Sequence, residues 1–272
     1  MFRLIIVFTT IVFSSLFAED EIITKKEFDC IIVPSNVSDL GSHSRGIINR
    51  IEVDRNDFVK RGDVIAVLDD KVEQAVVSLA NRRASITSEI ALRKQNSNLA
   101  GRMKKRAESS YYAKAFSDQE IDIVRVEAAV AKIKLLQAKE NQKIINDELK
   151  RAKAELAHKT IRAPFSGVIT ERFKTIGEYI DDKPVVRIAQ LDPLHVEVII
   201  PVVYRDKVKA GMKAKVHSHT GTVWSATVSQ VDRVMDVASG TFGVRLILPN
   251  PDYAIPAGLR CDLKFIGAKV SQ

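Results

Sequence analysis

Few residues of this 272-residue chain have the types and spacing that chemistry needs. His217 and His219 stand two apart, so on a strand both imidazoles share a face and offer two ligands to a divalent cation. No third ligand lies near them in sequence, and they read as exposed strand histidines. Cys30 and Cys261 are the only thiols, too few for a four-thiolate zinc or iron–sulfur site or a disulfide-dense mini-fold. In an oxidising compartment they either pair or stay as two buried free thiols. There is no Gly-rich phosphate loop, no G-x-S-x-G and no carboxylate pair with an evident role. No catalytic centre, metal site or cofactor is expected, and the protein reads as a non-enzyme.

The charge does not point to nucleic acid. Between Lys71 and Lys159, 19 basic residues face 11 acidic ones, a surplus equal to the net charge of +8. The signs are interspersed and aromatics make up 6% of the chain, which describes a solvated helical face. From Val64 to Ala163 there is one glycine, Gly101, and no proline, whereas the other eleven glycines and all eight prolines lie outside. That distribution sets a long helical insert between turn-rich β segments. Apolar residues inside it recur at three–four spacing. The second half gives a seam of Ile121, Val124, Ala128, Ala131, Leu135, Ala138, Gln142, Ile145, Leu149, Ala152 and Leu156, broken only by Gln142. The first half gives Val72, Val76, Leu79, Arg83, Ile86, Ile90, Arg93, Ser97, Ala100, Lys104, Ala107 and Tyr111, with a polar middle where looser packing is expected.

Ser117 followed by Glu120 is a capping box that starts the second helix at Asp118. The spacing therefore predicts an antiparallel coiled-coil hairpin over 71–159 with its tip near 111–118. Each arm has about 40 residues and is about 60 Å long. A rod of that length spans a distance, although a coiled coil that only dimerises would share the spacing. Upstream, Arg3, an apolar run over residues 4–17 and Ala18 precede Glu19-Asp20-Glu21, the pattern of a signal peptide over 1–18. Leu16 is not the small residue preferred before the cut, so a retained anchor is the alternative. The mature chain is expected in an oxidising compartment outside the cytoplasm.

The segments flanking the hairpin resemble each other at a constant offset of 121 residues. Gly46-Ile47-Ile48 matches Gly167-Val168-Ile169, Asn56-Asp57-Phe58-Val59 matches Gly177-Glu178-Tyr179-Ile180, and Val64-Ile65 matches Val185-Val186. Each half reads as short strands with a turn at Asn56 or Gly177, residue types that tolerate a left-handed backbone. Two such halves about a pseudo-twofold axis form the flattened sandwich of lipoyl and biotinyl carrier domains.

Gly62-Asp63-Val64-Ile65-Ala66-Val67-Leu68-Asp69, followed after the hairpin by Thr160-Ile161-Arg162-Ala163-Pro164-Phe165-Ser166-Gly167-Val168-Ile169, resembles the periplasmic adaptor (membrane fusion protein) family. The β-rich segment 191–272 is similar to that family's β-barrel domain. The resemblance implies an elongated α+β fold: a hairpin inserted in a split lipoyl/biotinyl-like β-sandwich, plus a β-barrel. Its parts are a strand within 19–41 that joins the barrel, a first lipoyl half over 42–70, a second over 160–190, and the barrel over 191–272. It implies a periplasmic protein, peripherally associated with the inner membrane, in a hexameric ring bridging an inner-membrane transporter of the resistance–nodulation–division type and a TolC-type outer-membrane channel. Channel docking at the hairpin tip falls on Arg106, Ser110 and Ser117, with Ser110 at a position the family fills with leucine. Tyr111 or Phe116 would supply the missing apolar contact. The alternatives are an adaptor for type I secretion with an ATP-driven exporter and, from another class, a biotinyl or lipoyl carrier protein.

Overall fold

The computed structural model describes residues 23–24, 26–112 and 117–266; the expected leader over 1–18 lies outside them. β2 (Gly46–Ile51), β3 (Phe58–Val59) and β4 (Val64–Leu68) precede the helices. β5 (Thr160–Arg162), β6 (Gly167–Arg172), β7 (Tyr179–Ile180) and the start of β8 (Val186–Pro201) follow them. The repeat in the sequence is a symmetry of the backbone. Gly46 pairs with Ile180, and its equivalent Gly167 pairs with Val59. The Ile48 N–H donates to the Glu178 carbonyl at 2.9 Å, and the Ile169 N–H to the Asp57 carbonyl at 3.0 Å. Asn56 and Gly177 both hold positive φ, 73° and 87°, the left-handed turn that their types allow. Each half thus lends its strands to the other. One core joins Ile48, Val59, Ile65 and Leu68 to Ile161, Ile169, Ile180 and Ile188, so neither half buries its apolar side chains alone.

Between the halves the chain forms a hairpin whose arms differ. The second arm is one helix of 40 residues, α3 (Asp118–Ala157), with Ser117 as its cap. Its buried and half-buried positions run from Ile121 to Leu156 and coincide with the expected seam. The first arm is two helices, α1 (Lys71–Ser85) and α2 (Ser88–Tyr112), separated where Ile86 turns extended at φ −79°, ψ 105°. From Ile90 to Tyr111 the seam is the expected one. In α1 it is shifted by one residue: Glu73, Val77, Ala80 and Ala84 face inward, while Val72, Val76, Leu79 and Arg83 turn outward. The break absorbs that change of phase, which heptad counting through a continuous helix cannot register. It also accounts for the polar seam residue. Gln142 Nε2 donates to the Ala84 carbonyl at 2.7 Å, an acceptor left without an intrahelical amide where α1 ends. At the root, Glu73 pairs with Lys159 at 3.1 Å.

β1 (Phe28–Leu40), β12 (Arg260–Phe265), β9 (Lys213–Ser218), β10 (Val223–Val231), β11 (Thr241–Leu248) and β8 close into a six-stranded barrel, because β1 pairs with both β12 and β8. Ile32, Val196, Val198, Leu246 and Phe265 fill its interior. Cys30 and Cys261 face each other across the β1–β12 seam as a disulfide, with sulfurs 2.07 Å apart. β1 lies within the expected 19–41 and outruns the barrel, pairing with β8 from Cys30–Val198 to Leu40–Val186, a ribbon shared by barrel and β body.

The ribbon bulges near Pro34–Asn36, and Asn250 holds the opposing strand there. Asn250 is buried; its side-chain amide donates to the Leu191 and Ile255 carbonyls at 2.9 and 3.0 Å and accepts from the Ile255 N–H at 3.0 Å. Its backbone N–H donates to Asp192 Oδ1 at 2.9 Å. Asn250→Leu would leave three backbone groups buried without partners, so it should cost about 2–3 kcal/mol. Urea unfolding checks this, and an unchanged midpoint would show that the loop repairs itself without the amide.

Candidate functional site

The tip is built by the ends of α2 and α3, held together by a buried layer of Ala107 and Ile121. Small alanine against large isoleucine lets the arms close on each other near the tip. Glu108 ties them further, 3.7 Å from Arg125 on α3 and 3.8 Å from Lys104 on α2. Above this, the Tyr111 hydroxyl donates to Asp118 Oδ1 at 2.6 Å, and that carboxylate holds the phenol above its usual range. Ser117 completes the capping box. The Glu120 carboxylate accepts from the Ser117 N–H at 2.9 Å and from its hydroxyl at 2.7 Å, while the Glu120 N–H donates back to the hydroxyl at 3.3 Å. Those bonds hold the Glu120 carboxyl below its usual range.

This geometry sorts the expected tip residues by how free they are. Arg106 is exposed and makes no ion pair among the described residues, so its guanidinium has several donors available to an outside acceptor. Ser110 lies one turn further along α2 and is half-buried. Ser117 and Tyr111 are committed to bonds within the tip. Phe116 lies outside the described residues. Sequence reasoning passed over Tyr112, an exposed ring whose centroid is 6.1 Å from that of Tyr111. Its adjacency to Tyr111 was the available signal, but which of two neighbouring rings faces outward depends on helix phase.

The histidines are no site as they stand. The register sets Asp262 opposite His217, and Asp262 Oδ2 is 3.9 Å from His219 Nδ1, a neighbour that sequence spacing could not reveal. His217 Nε2 is buried without a hydrogen-bond partner, yet among the described residues no three metal-ligating side chains converge.

With the two halves, the hairpin and the barrel in place, comparison with known families is decisive. Residues 37–190 match the model described as the CzcB-like, barrel-sandwich hybrid domain. The chain belongs to this family. It is a family of membrane fusion adaptors of efflux systems. Over 227 residues the chain is 26% identical to the cation efflux system protein CzcB of Alcaligenes sp. (strain CT14), covering 83% of this chain and 41% of that protein. It is 25% identical over 219 residues to the multidrug resistance protein MdtA of Xenorhabdus bovienii, covering 75% of this chain and 49% of the relative. The chain therefore spans less than half the length of these relatives. In fold it is similar to MacA from Actinobacillus actinomycetemcomitans, with a TM-score of 0.71 at 20% identity over 89% of this chain and 78% of that one. It is likewise similar to a MacA–MexA chimera carrying the Pseudomonas aeruginosa MexA α-hairpin, with a TM-score of 0.56 at 20% identity over 89% and 79% of the two chains. No helix among the described residues is long and apolar enough to cross a membrane.

Proposed function

We propose that this CzcB-like chain is a periplasmic adaptor bridging an inner-membrane transporter of the resistance–nodulation–division type to a TolC-type outer-membrane channel, for export of small molecules. The observation that carries the reading is the polarity of the molecule: a hairpin leaves one end of the β body, and the β1–β8 ribbon leads from that body into a closed barrel. The β body corresponds to a lipoyl/biotinyl-like sandwich split by the hairpin. A carrier domain would present a modified lysine on the turn between its halves, and the hairpin takes that place. The relatives' names, cation efflux and multidrug resistance, support export as the process served.

The hairpin also supports assembly into a ring. α3 carries a second apolar stripe of Ile123, Val126, Val130 and Ile133, exposed and offset from the seam; α2 carries exposed Leu92, Leu99 and Met103. Two apolar flanks on a solvated rod invite a like neighbour on each side, which a closed cyclic arrangement provides. Six copies follow from the family resemblance.

Arg106 is then the tip's anchor on the channel. R106E combined with S117N tests it, because asparagine caps a helix as well as serine does while removing the hydroxyl. Losing a central arginine contact costs about 2 kcal/mol or more, roughly thirtyfold in Kd. The expected outcome is loss of channel cross-linking and of metal or drug tolerance, with unchanged circular dichroism. Full tolerance in the double variant would remove the tip from the docking site.

A further inference from the structure

The barrel end remote from the hairpin is apolar in an unusual way. β8 leaves the β body, runs through the barrel and stops at Pro201, which pairs with Thr241. Two turns project beyond that edge. One begins at Val202, whose N–H donates to the Gly240 carbonyl at 2.9 Å; the other runs from Asp232 to Gly240 and is closed by the Asp236–Thr241 bridge. On these turns Val203 is 72% exposed, Val234 84% and Val237 95%, with Met235 and Val202 also exposed. Ile199, 70% exposed, extends the surface along β8. Five large aliphatic side chains on two adjoining turns amount to a patch, which marks an interaction site where scattered exposed residues would not.

The chain's own path says what meets that patch. β1 runs antiparallel to β8, so Phe28 lies at this same end, its ring 5.6 Å from that of Tyr204 in the first turn. Lys26 Nζ stands 5.4 Å from the Tyr204 ring. The described chain therefore enters the fold, through Ile23 in the barrel core and then Lys26 and Phe28, beside the turn that carries Val203, and the apolar run of residues 4–17 precedes it in sequence. The surrounding charges are Arg205, Lys207, Lys209 and Arg233 against Asp206, Asp232 and Asp236, a slight basic excess. Asp236 is already engaged by the Ala238 and Ser239 N–H groups, at 2.8 and 3.2 Å.

We propose that the turns 202–207 and 232–240 form a membrane-docking surface, dipping Val203, Val234 and Val237 into the interfacial layer of an anionic lipid bilayer. Narrow turns tipped with aliphatic residues suit a lipid surface: the tips enter the acyl boundary while the exposed Lys209 and Arg233 beside them stay at the headgroups. With so small a basic excess, apolar burial carries the binding and salt weakens it little. The inference goes beyond the adaptor reading and can fail while that reading stands.

The test uses the full chain with vesicles of phosphatidylethanolamine and phosphatidylglycerol, so any contribution from residues 1–22 is present throughout. V237W places an indole on the turn, and V72W places one on the outward face of α1 as a control. Expected are a blue shift and quenching by brominated acyl chains for V237W and neither for V72W. V234E combined with V237E, at exposed positions that leave the barrel core untouched, should lower vesicle partitioning at least tenfold. An unshifted, unquenched V237W indole on bound vesicles would overturn the proposal, since binding then comes from elsewhere in the chain. A V237W shift that appears only when a transporter protein is reconstituted in the vesicles would overturn it equally, by assigning the turns to a protein partner.

Discussion

Replacing both Cys30 and Cys261 by alanine should lower the stability of the barrel by about 3–5 kcal/mol, the upper part of the range for removal of a native disulfide. The magnitude follows from topology. The pair is separated by 231 residues, so the unfolded chain loses a very long loop's worth of freedom when it is linked. The link sits where closure is hardest, because β1 comes from one end of the chain and β12 from the other, and four residue pairs join them. Both cysteines are buried, so alanine is the cleaner replacement; serine would add an unpaired hydroxyl to the loss. Calorimetry with and without a thiol reductant measures the effect. Because the β body has its own core, the barrel transition should move by more than about 10 °C while the other body's moves far less. A barrel transition that ignores the reductant and the double substitution would mean that closure of β1 onto β12 does not need the link.

What could be read in the sequence divides along a physical line. Local rules carried far: the capping box at Ser117, the seam of α3, the left-handed turns at Asn56 and Gly177, and the repeat that became a twofold exchange of strands. These depend on a few neighbouring residues or on a constant offset. The break at Ile86 was illegible, because no glycine or proline marks it and the apolar pattern reads acceptably in either phase. Gln142 was visible as an exception, but its reason lies 58 residues away on the other arm. Asn250 and Asp192 were both part of family-like segments; only the fold brings the Asn250 N–H to the Asp192 carboxylate. At the tip, the family resemblance named Arg106 and Ser117 together. Hydrogen bonding then separates them, leaving Arg106 available and committing Ser117 to the cap.

Symmetry in sequence does not guarantee equal consequences, and the glycines at the start of β2 and β6 make the difference measurable. Gly46 and Gly167 are equivalent by the 121-residue offset, and neither has positive φ. A Cβ on Gly46 would meet Leu68 side-chain carbons at 3.6 and 3.7 Å and Lys159 Nζ at 3.6 Å, ordinary contacts. A Cβ on Gly167 would run into the Ala189 carbonyl, with that carbon at 2.9 Å, and backbone cannot swing aside as a side chain can. The cause is register. β6 pairs Val168 with Ala189, whereas β2 pairs Ile48 with Leu68, one residue out of step with its twin. β8 is also held on its far edge by β1, so it cannot retreat from β6 without disturbing the ribbon that joins the two bodies. G167A should therefore cost on the order of 3–4 kcal/mol through overpacking and lost β6–β8 pairing, while G46A should stay within about 1 kcal/mol of the parent chain. Denaturant midpoints of the two variants, measured side by side, decide it: equal shifts would mean that β8 gives way as readily as the Leu68 side chain, and that its pairing with β1 does not hold it against β6.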